Sequence, residues 1–173
     1  MTQNNGHVLK KVLKNIEHLK TVLRPEDSLL DVGCCEGHIY KRLGHANYQG
    51  IDLLESNVEK ARVNFPGVDF KQANLFELEG KWDVIFCCRV LMHIPRFEEA
   101  IARLKSCARR YVVIAIPIGG AELIEVQEIG KPKEGRLSWS YFRIFTEDMV
   151  RLGKCEVIRA EKYSTVIYDC GGL

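Results

Sequence analysis

The sequence predicts an α/β domain in which a mostly parallel sheet is covered by helices, and three observations carry this. Between Asp27 and Pro117, apolar runs of strand length alternate with segments of helical periodicity. The run Tyr111–Pro117 is a solid β-branched stretch, suited to a sheet centre buried on both faces. Two last strand-like runs, Glu156–Tyr163 and Thr165–Cys170, have almost nothing between them, so they can pair only as an antiparallel hairpin at the sheet edge.

Taken in order, residues 7–23 read as a helix, with Val8, Leu9, Val12, Leu13, Ile16, Leu19, Val22 and Leu23 near i, i+3, i+4 spacing and Pro25 as the stop. Its polar face is basic, which suits either a solvated face or a lid over an anionic ligand. Ser28–Val32 is the first strand, Gly37–Leu43 a helix closed by Gly44, and Tyr48–Asp52 the second strand. Ser56 and Glu59 have capping-box spacing, and that helix runs to Phe65 before the Pro66–Gly67 turn. Val68–Lys71 and Trp82–Cys88 are strands, and Pro95 opens a helix over Phe97–Arg109. The connection over 118–145 is too long for an idle loop, and Ala121–Ile129 within it has helical character. Thr146 is placed to cap a helix over Glu147–Leu152, stopped at Gly153.

Length and composition fit a single globular domain. The chain has 173 residues, 46% hydrophobic and 28% charged, and a net charge of +2 that does not by itself call for nucleic acid or an anionic membrane. The longest apolar run, Tyr111–Ile118, is far short of the roughly 20 residues of a membrane helix. The opening MTQNNGHVLKK lacks an apolar signal core, so a cytoplasmic protein is expected. Seven cysteines, with adjacent pairs at Cys34–Cys35 and Cys87–Cys88, read as reduced and mostly buried thiols. There is no C-x-x-C and no Cys-His cluster, so no metal site is expected.

The sharpest segment is LLDVGCCEG, residues 29–37. A strand ends beside a carboxylate, glycines permit a tight turn, and a helix is expected to start at once, which brings backbone N–H groups against a ligand. Asp52 closes the next strand, 19 residues after Gly33, where a carboxylate can hold two ribose hydroxyls; it can also cap the following helix or turn. The spacing Gly33-x-Cys35-x-Gly37 departs from the G-x-G-x-x-G of dinucleotide folds, and Asp31 suits a cationic ligand better than a pyrophosphate.

With these residues in view, the chain resembles the class I S-adenosylmethionine-dependent methyltransferases, of the small type 11/type 12 sort. LLDVGCCEG resembles the family's first motif, YQGIDLLESNVEKAR the segment whose acidic residue binds ribose, FKQANLFEL the third-strand segment beside adenine, and WDVIFCCRVLMHIP the fourth-strand motif. The resemblance implies a Rossmann-like three-layer sandwich with strand order 3-2-1-4-5-7-6 and strand 7 antiparallel. It implies S-adenosyl-L-methionine as cofactor. Asp31, Gly33 and Cys35 would lie at its methionine end, with Gly37 shaping the turn. Asp52 would take the ribose and Leu53 the adenine face, Asn74 and Leu75 would border the adenine edge, and Cys88 and Arg89 would lie under the methionine portion. Residues 1–24 would form a helical lid on a single domain over 25–173, with 118–145 as a substrate-side insertion.

The sequence departs from the family at Cys35, where glycine is usual, and at Asn74, where aspartate is usual. If residue 35 needs a positive φ, a cysteine there costs on the order of 1 kcal/mol or more. His93 is the candidate general base, needed only for a hydroxyl or protonated-nitrogen acceptor. Trp139, Tyr141 and Phe142 are the candidate acceptor-side wall. The N/D-P-P-Y/F motif of amide and adenine N-methylating relatives is absent after strand 4. Those acceptors are therefore not expected; because the chain carries a net charge of only +2 and a small acceptor needs only a pocket, the expected acceptor is a small molecule, by in-line methyl displacement to oxygen or nitrogen. RNA (tRNA) methylation, drawing on the basic helix and Arg109–Arg110, and a non-catalytic binding scaffold are the alternatives. Oligomeric state is not legible.

Overall fold

The computed structural model describes residues 15–117, 127–128, 140–141, 146–160 and 163–171. Strands β1 (Leu29–Val32), β2 (Tyr48–Asp52), β3 (Asp69–Gln72), β4 (Trp82–Cys88) and β5 (Ala108–Pro117) come first. A two-stranded ribbon of β6 (Gln127–Glu128) and β7 (Ser140–Tyr141) follows, and β8 (Cys155–Ala160) and β9 (Tyr163–Asp169) close the order. Helices are α1 (residues 15–20), α2 (Tyr40–Leu43), α3 (Glu55–Asn64), α4 (Phe97–Cys107) and α5 (Thr146–Val150).

Seven strands form one sheet in the order β3-β2-β1-β4-β5-β9-β8. The neighbours from β3 to β5 are parallel, and β9 runs antiparallel to both β5 and β8. This is the expected Rossmann-like order, with the seventh strand reversed. The sheet is buried on both faces. One face packs Leu30, Val32, Ile85 and Ile114 against Ile101 and Leu104 of α4. The other packs Leu29, Phe86 and Val113 against Ile16 and Leu19 of α1 and Val58 of α3. Alternate residues of β1 thus serve opposite cores, as the period-2 geometry of a strand requires.

Several boundaries differ from the sequence reading. The helix expected over Gly37–Leu43 is reduced to α2, because residues 35 and 37 have left-handed backbones (φ 49 and 83) that a helix cannot include. The capping box does not form: α3 starts at Glu55 after Leu54, with no side-chain cap. α4 ends two residues early and passes directly into β5. Thr146 lies inside α5, and its hydroxyl pairs with that of Ser164 at 3.0 Å instead of capping. Residues 127–128 of the segment read as helical are strand, paired antiparallel with 140–141. The remainder of that segment, and residues 7–14 of the first helix, lie outside the described residues. The described part, α1, docks as its pattern requires: Ile16 and Leu19 are buried, and exposed Lys20 pairs with Glu17 at 2.9 Å. Among the described residues no helix is long and apolar enough to cross a membrane, and all seven cysteines are free thiols.

Candidate functional site

The candidate site lies at the carboxyl ends of β1, β2 and β4, where the strand order reverses direction; ligands of open α/β sheets bind at such a rim. Two turns build it. After β1, the Gly33 and Cys34 amides both donate to the Ile51 carbonyl, at 2.8 and 2.9 Å, which ties the turn to β2. After β4, Arg89 donates its amide to the Ala115 carbonyl at 2.8 Å, which ties the second turn to β5. The turns touch each other at Gly33. Its backbone has φ 75, and a Cβ there would sit 2.3 Å from Val90 Cγ2, so only glycine fits.

Beneath the first turn lies a cluster of aromatic rings. The Tyr40 ring lies tilted at 5.1 Å from Tyr48 and edge to face at 5.3 Å from Phe65, with Phe70 edge to face at 5.8 Å from Tyr48. A Cβ on Gly37 would lie 2.7 Å from the Phe65 ring, so these rings fix how closely the turn descends. The cluster also aims the Tyr48 hydroxyl, which donates to Asp31 Oδ2 at 2.5 Å.

Asp31 is only 1% exposed. Burial pushes its carboxyl up from the ordinary 3.8 to about 7; the Tyr48 hydroxyl pulls the other way, and the charge of Asp52 adds to the rise. Asp52, 8% exposed, braces the rim. Its Oδ2 accepts from the Cys35 amide at 3.0 Å, and its Oδ1 accepts from the Leu54 amide at 3.0 Å and Asn57 Nδ2 at 3.1 Å. The turn-capping role weighed for Asp52 is therefore present. A carboxylate has about four acceptor positions, so room for a further donor remains.

Cys35 stands where the backbone is left-handed, φ 49, which is the strained case anticipated for a non-glycine residue. Loss of solvent around its sulfur, then the charges of Asp52, Asp31 and Glu36, pushes the thiol up to about 12. Cys88, half-buried, accepts from Asn15 Nδ2 of α1 at 3.7 Å. Burial raises its thiol to about 12; the Asn15 bond and the Arg89 charge lower it, while Asp31 and Cys35 raise it. These mutual effects locate Asp31, Cys35, Cys88 and Arg89 in one neighbourhood. Both thiols stay protonated at neutral pH and are poor nucleophiles.

Leu53 is 59% exposed beside Asp52, an apolar surface at the rim. Asn74 is occupied locally: its Oδ1 accepts from the Phe76 amide at 3.1 Å and caps the short 75–77 turn. Leu75, expected at the same edge, turns into the core at 8% exposure, so it offers a site only its backbone. His93 ends the 91–93 turn after β4, its amide bonded to the Val90 carbonyl at 2.9 Å. Tyr141 belongs to β7, whose backbone packs against that turn; Trp139 and Phe142 lie outside the described residues. The sequence reading missed Tyr48 and Asn15, both buried polar partners of site residues. Tyr48 is legible in retrospect as a polar tip on an otherwise core-facing strand position.

Comparison with known proteins agrees with this architecture. A family model described as a methyltransferase domain matches residues 23–154. A trans-aconitate 2-methyltransferase of Rhizobium rhizogenes is 31% identical over 100 residues, 52% of this chain and 38% of that protein. One of Deinococcus radiodurans is 27% identical over 100 residues, 55% of this chain and 39% of that protein. The alignments thus span under two fifths of the length of these curated relatives. Among solved structures, magnesium protoporphyrin IX methyltransferase of Synechocystis PCC 6803 with bound SAH superposes at a TM-score of 0.68 with 19% identity, covering 95% of this chain and 83% of that one. Because the matched span takes in β1 to β5 and both turns that frame the rim, this chain belongs to the methyltransferase domain family.

Proposed function

We propose that the chain is an S-adenosylmethionine-dependent methyltransferase acting on a small molecule. The observation that carries the reading is the convergence of two buried carboxylates, Asp31 and Asp52, on a glycine turn too close for any side chain at position 33. A buried carboxylate held near neutrality by burial is stabilised by a cation placed against it. S-adenosylmethionine, when bound, supplies a sulfonium methyl group and brings a cationic methionine end of that kind.

In this reading Asp31 faces the cationic end, Asp52 accepts a ribose hydroxyl through its remaining capacity, and exposed Leu53 packs against the adenine. Asn74 and the backbone of Leu75 border the base, and Gly33, Cys35, Cys88 and the backbone of Arg89 line the methionine portion. α1 closes the rim through Asn15 and acts as the lid of the site. The protein's contribution is alignment, which can be worth about 7–11 kcal/mol. His93 serves as base only where the acceptor oxygen or nitrogen carries a proton. Tyr141, with Trp139 and Phe142, forms the acceptor wall.

A small acceptor fits the surface better than RNA. The Arg109–Arg110 pair is neutralised: Arg110 meets Asp27 at 2.6 Å and Arg109 meets Asp83 at 3.6 Å. Titration calorimetry with S-adenosylmethionine should give one site per chain. Methyl transfer from tritiated cofactor should appear in small-molecule fractions and not in bulk tRNA. Failure of the intact protein to bind the cofactor would overturn the reading.

A further inference from the structure

The turn after β4 holds an arginine where its backbone asks for none. Arg89 has φ 62, a conformation that costs a residue with a side chain on the order of 1 kcal/mol. The backbone there has a structural task, since it brings Val90 over Gly33. Glycine would perform that task without strain, so the shape of the turn does not account for the guanidinium. A strained residue at a ligand-binding rim points to a use for its side chain.

Among the described residues the guanidinium has no internal partner. Arg62, Arg96, Arg110 and Arg159 each hold a carboxylate in an ion pair. Arg89 makes no side-chain hydrogen bond or ion pair among the described residues, although it is half-buried. Its charge and that of Asp31 both act on the Cys88 thiol, with opposite signs. The rim is therefore polarised, with Asp31, Asp52 and Glu36 around the first turn and Arg89 at the second. Two residues past Arg89 the chain enters the 91–93 turn, against which β7 packs. Arg89 thus sits on the β4–β5 side of the rim, two residues before the turn that β7 contacts.

We infer that Arg89 is the specificity-determining residue for the acceptor, and that the acceptor is a small molecule bearing a carboxylate which this guanidinium holds. The inference rests on the methyltransferase reading above. An arginine fork matches a carboxylate in two parallel charge-assisted hydrogen bonds, and partial burial strengthens both. The name shared by both curated relatives, each a methyltransferase of a small polycarboxylate, agrees with this chemistry.

The test uses the full chain saturated with S-adenosylhomocysteine and measures equilibrium binding of trans-aconitate, citrate, fumarate, succinate and benzoate, each beside its neutral methyl ester. At least one acid should bind, and its ester at least tenfold more weakly. Arg89→Gly, which relieves the backbone, should fold as well as the wild type and weaken the acid at least ten times more than it weakens S-adenosylhomocysteine. Arg89→Lys should recover part of the loss. The inference is overturned if no acid binds the saturated wild type, or if Arg89→Gly binds the acid as the wild type does. It is equally overturned if acid and S-adenosylhomocysteine weaken together, because the guanidinium would then hold the cofactor's own carboxylate. Failure of the wild type to bind S-adenosylhomocysteine is a separate result, which refutes the methyltransferase reading and this inference with it.

Discussion

Replacing Asp31 with asparagine should stabilise the ligand-free protein by an amount that grows with pH. Asp31 is buried, with the Tyr48 hydroxyl as its hydrogen-bond donor, and burial raises its carboxyl from 3.8 to about 7. An acid whose folded value lies above its unfolded value binds more protons folded than unfolded, so its contribution is fully present below about pH 4 and is lost as pH rises toward 7. About three pH units at roughly 1.4 kcal/mol each place the full loss on the order of 4 kcal/mol. Asparagine keeps an acceptor for Tyr48 and removes the titration. The difference between variant and wild type should therefore widen from about 2 kcal/mol at pH 5 to about 4 at pH 8, apart from a constant offset for the added amide N–H groups. Urea unfolding at both pH values reads that change, and the offset cancels between them. Parallel stabilities at pH 5 and pH 8 would refute the reasoning, because the carboxylate would then be solvated or otherwise compensated.

The remaining predictions concern the same rim. Cofactor binding at pH 6 should release close to one proton as Asp31 ionises, and almost none at pH 8; calorimetry in two buffers of different ionisation heat measures this. Cys35→Gly should raise stability by up to about 1 kcal/mol by relieving the left-handed backbone; an unchanged urea midpoint would mean that the strain is absorbed elsewhere. Gly33→Ala should cost about 3 kcal/mol, combining backbone strain with the clash at Val90, and should displace the turn. Asp52→Ala strips three donors of their acceptor, so it should lower stability by about 2 kcal/mol and weaken the cofactor at least tenfold.

The sheet was readable from sequence because each strand is short, apolar and bounded by turn residues, and the parallel alternation leaves few ways to connect them. What escaped was decided by contacts between distant segments. Nothing local in residues 35–39 says that two left-handed residues will hold off the helix until Tyr40. Ser56 and Glu59 have the right spacing for a capping box, but Asp52 anchors the start of α3 through Leu54 and Asn57. The motif located the Asp31, Gly33 and Asp52 positions because their spacing follows from the strand lengths. Leu75 shows the limit of that approach, since a motif position fixes the backbone while packing decides where the side chain goes.

The placement of β9 has a consequence for how the chain comes to be folded. This strand sits between β5 and β8, pairing Tyr111 with Asp169 at one end and Pro117 with Tyr163 at the other. During synthesis the first five strands can assemble while the long run of β5 still offers an open edge, an invitation to pair with another nascent chain. Only when residues 163–169 have been made can that edge be covered, and by a contact of high sequence separation, which is slow to form. A product that stops before residue 163 would keep most of its apolar cores and yet expose the edge of β5, so it should accumulate as aggregate instead of as a smaller soluble domain.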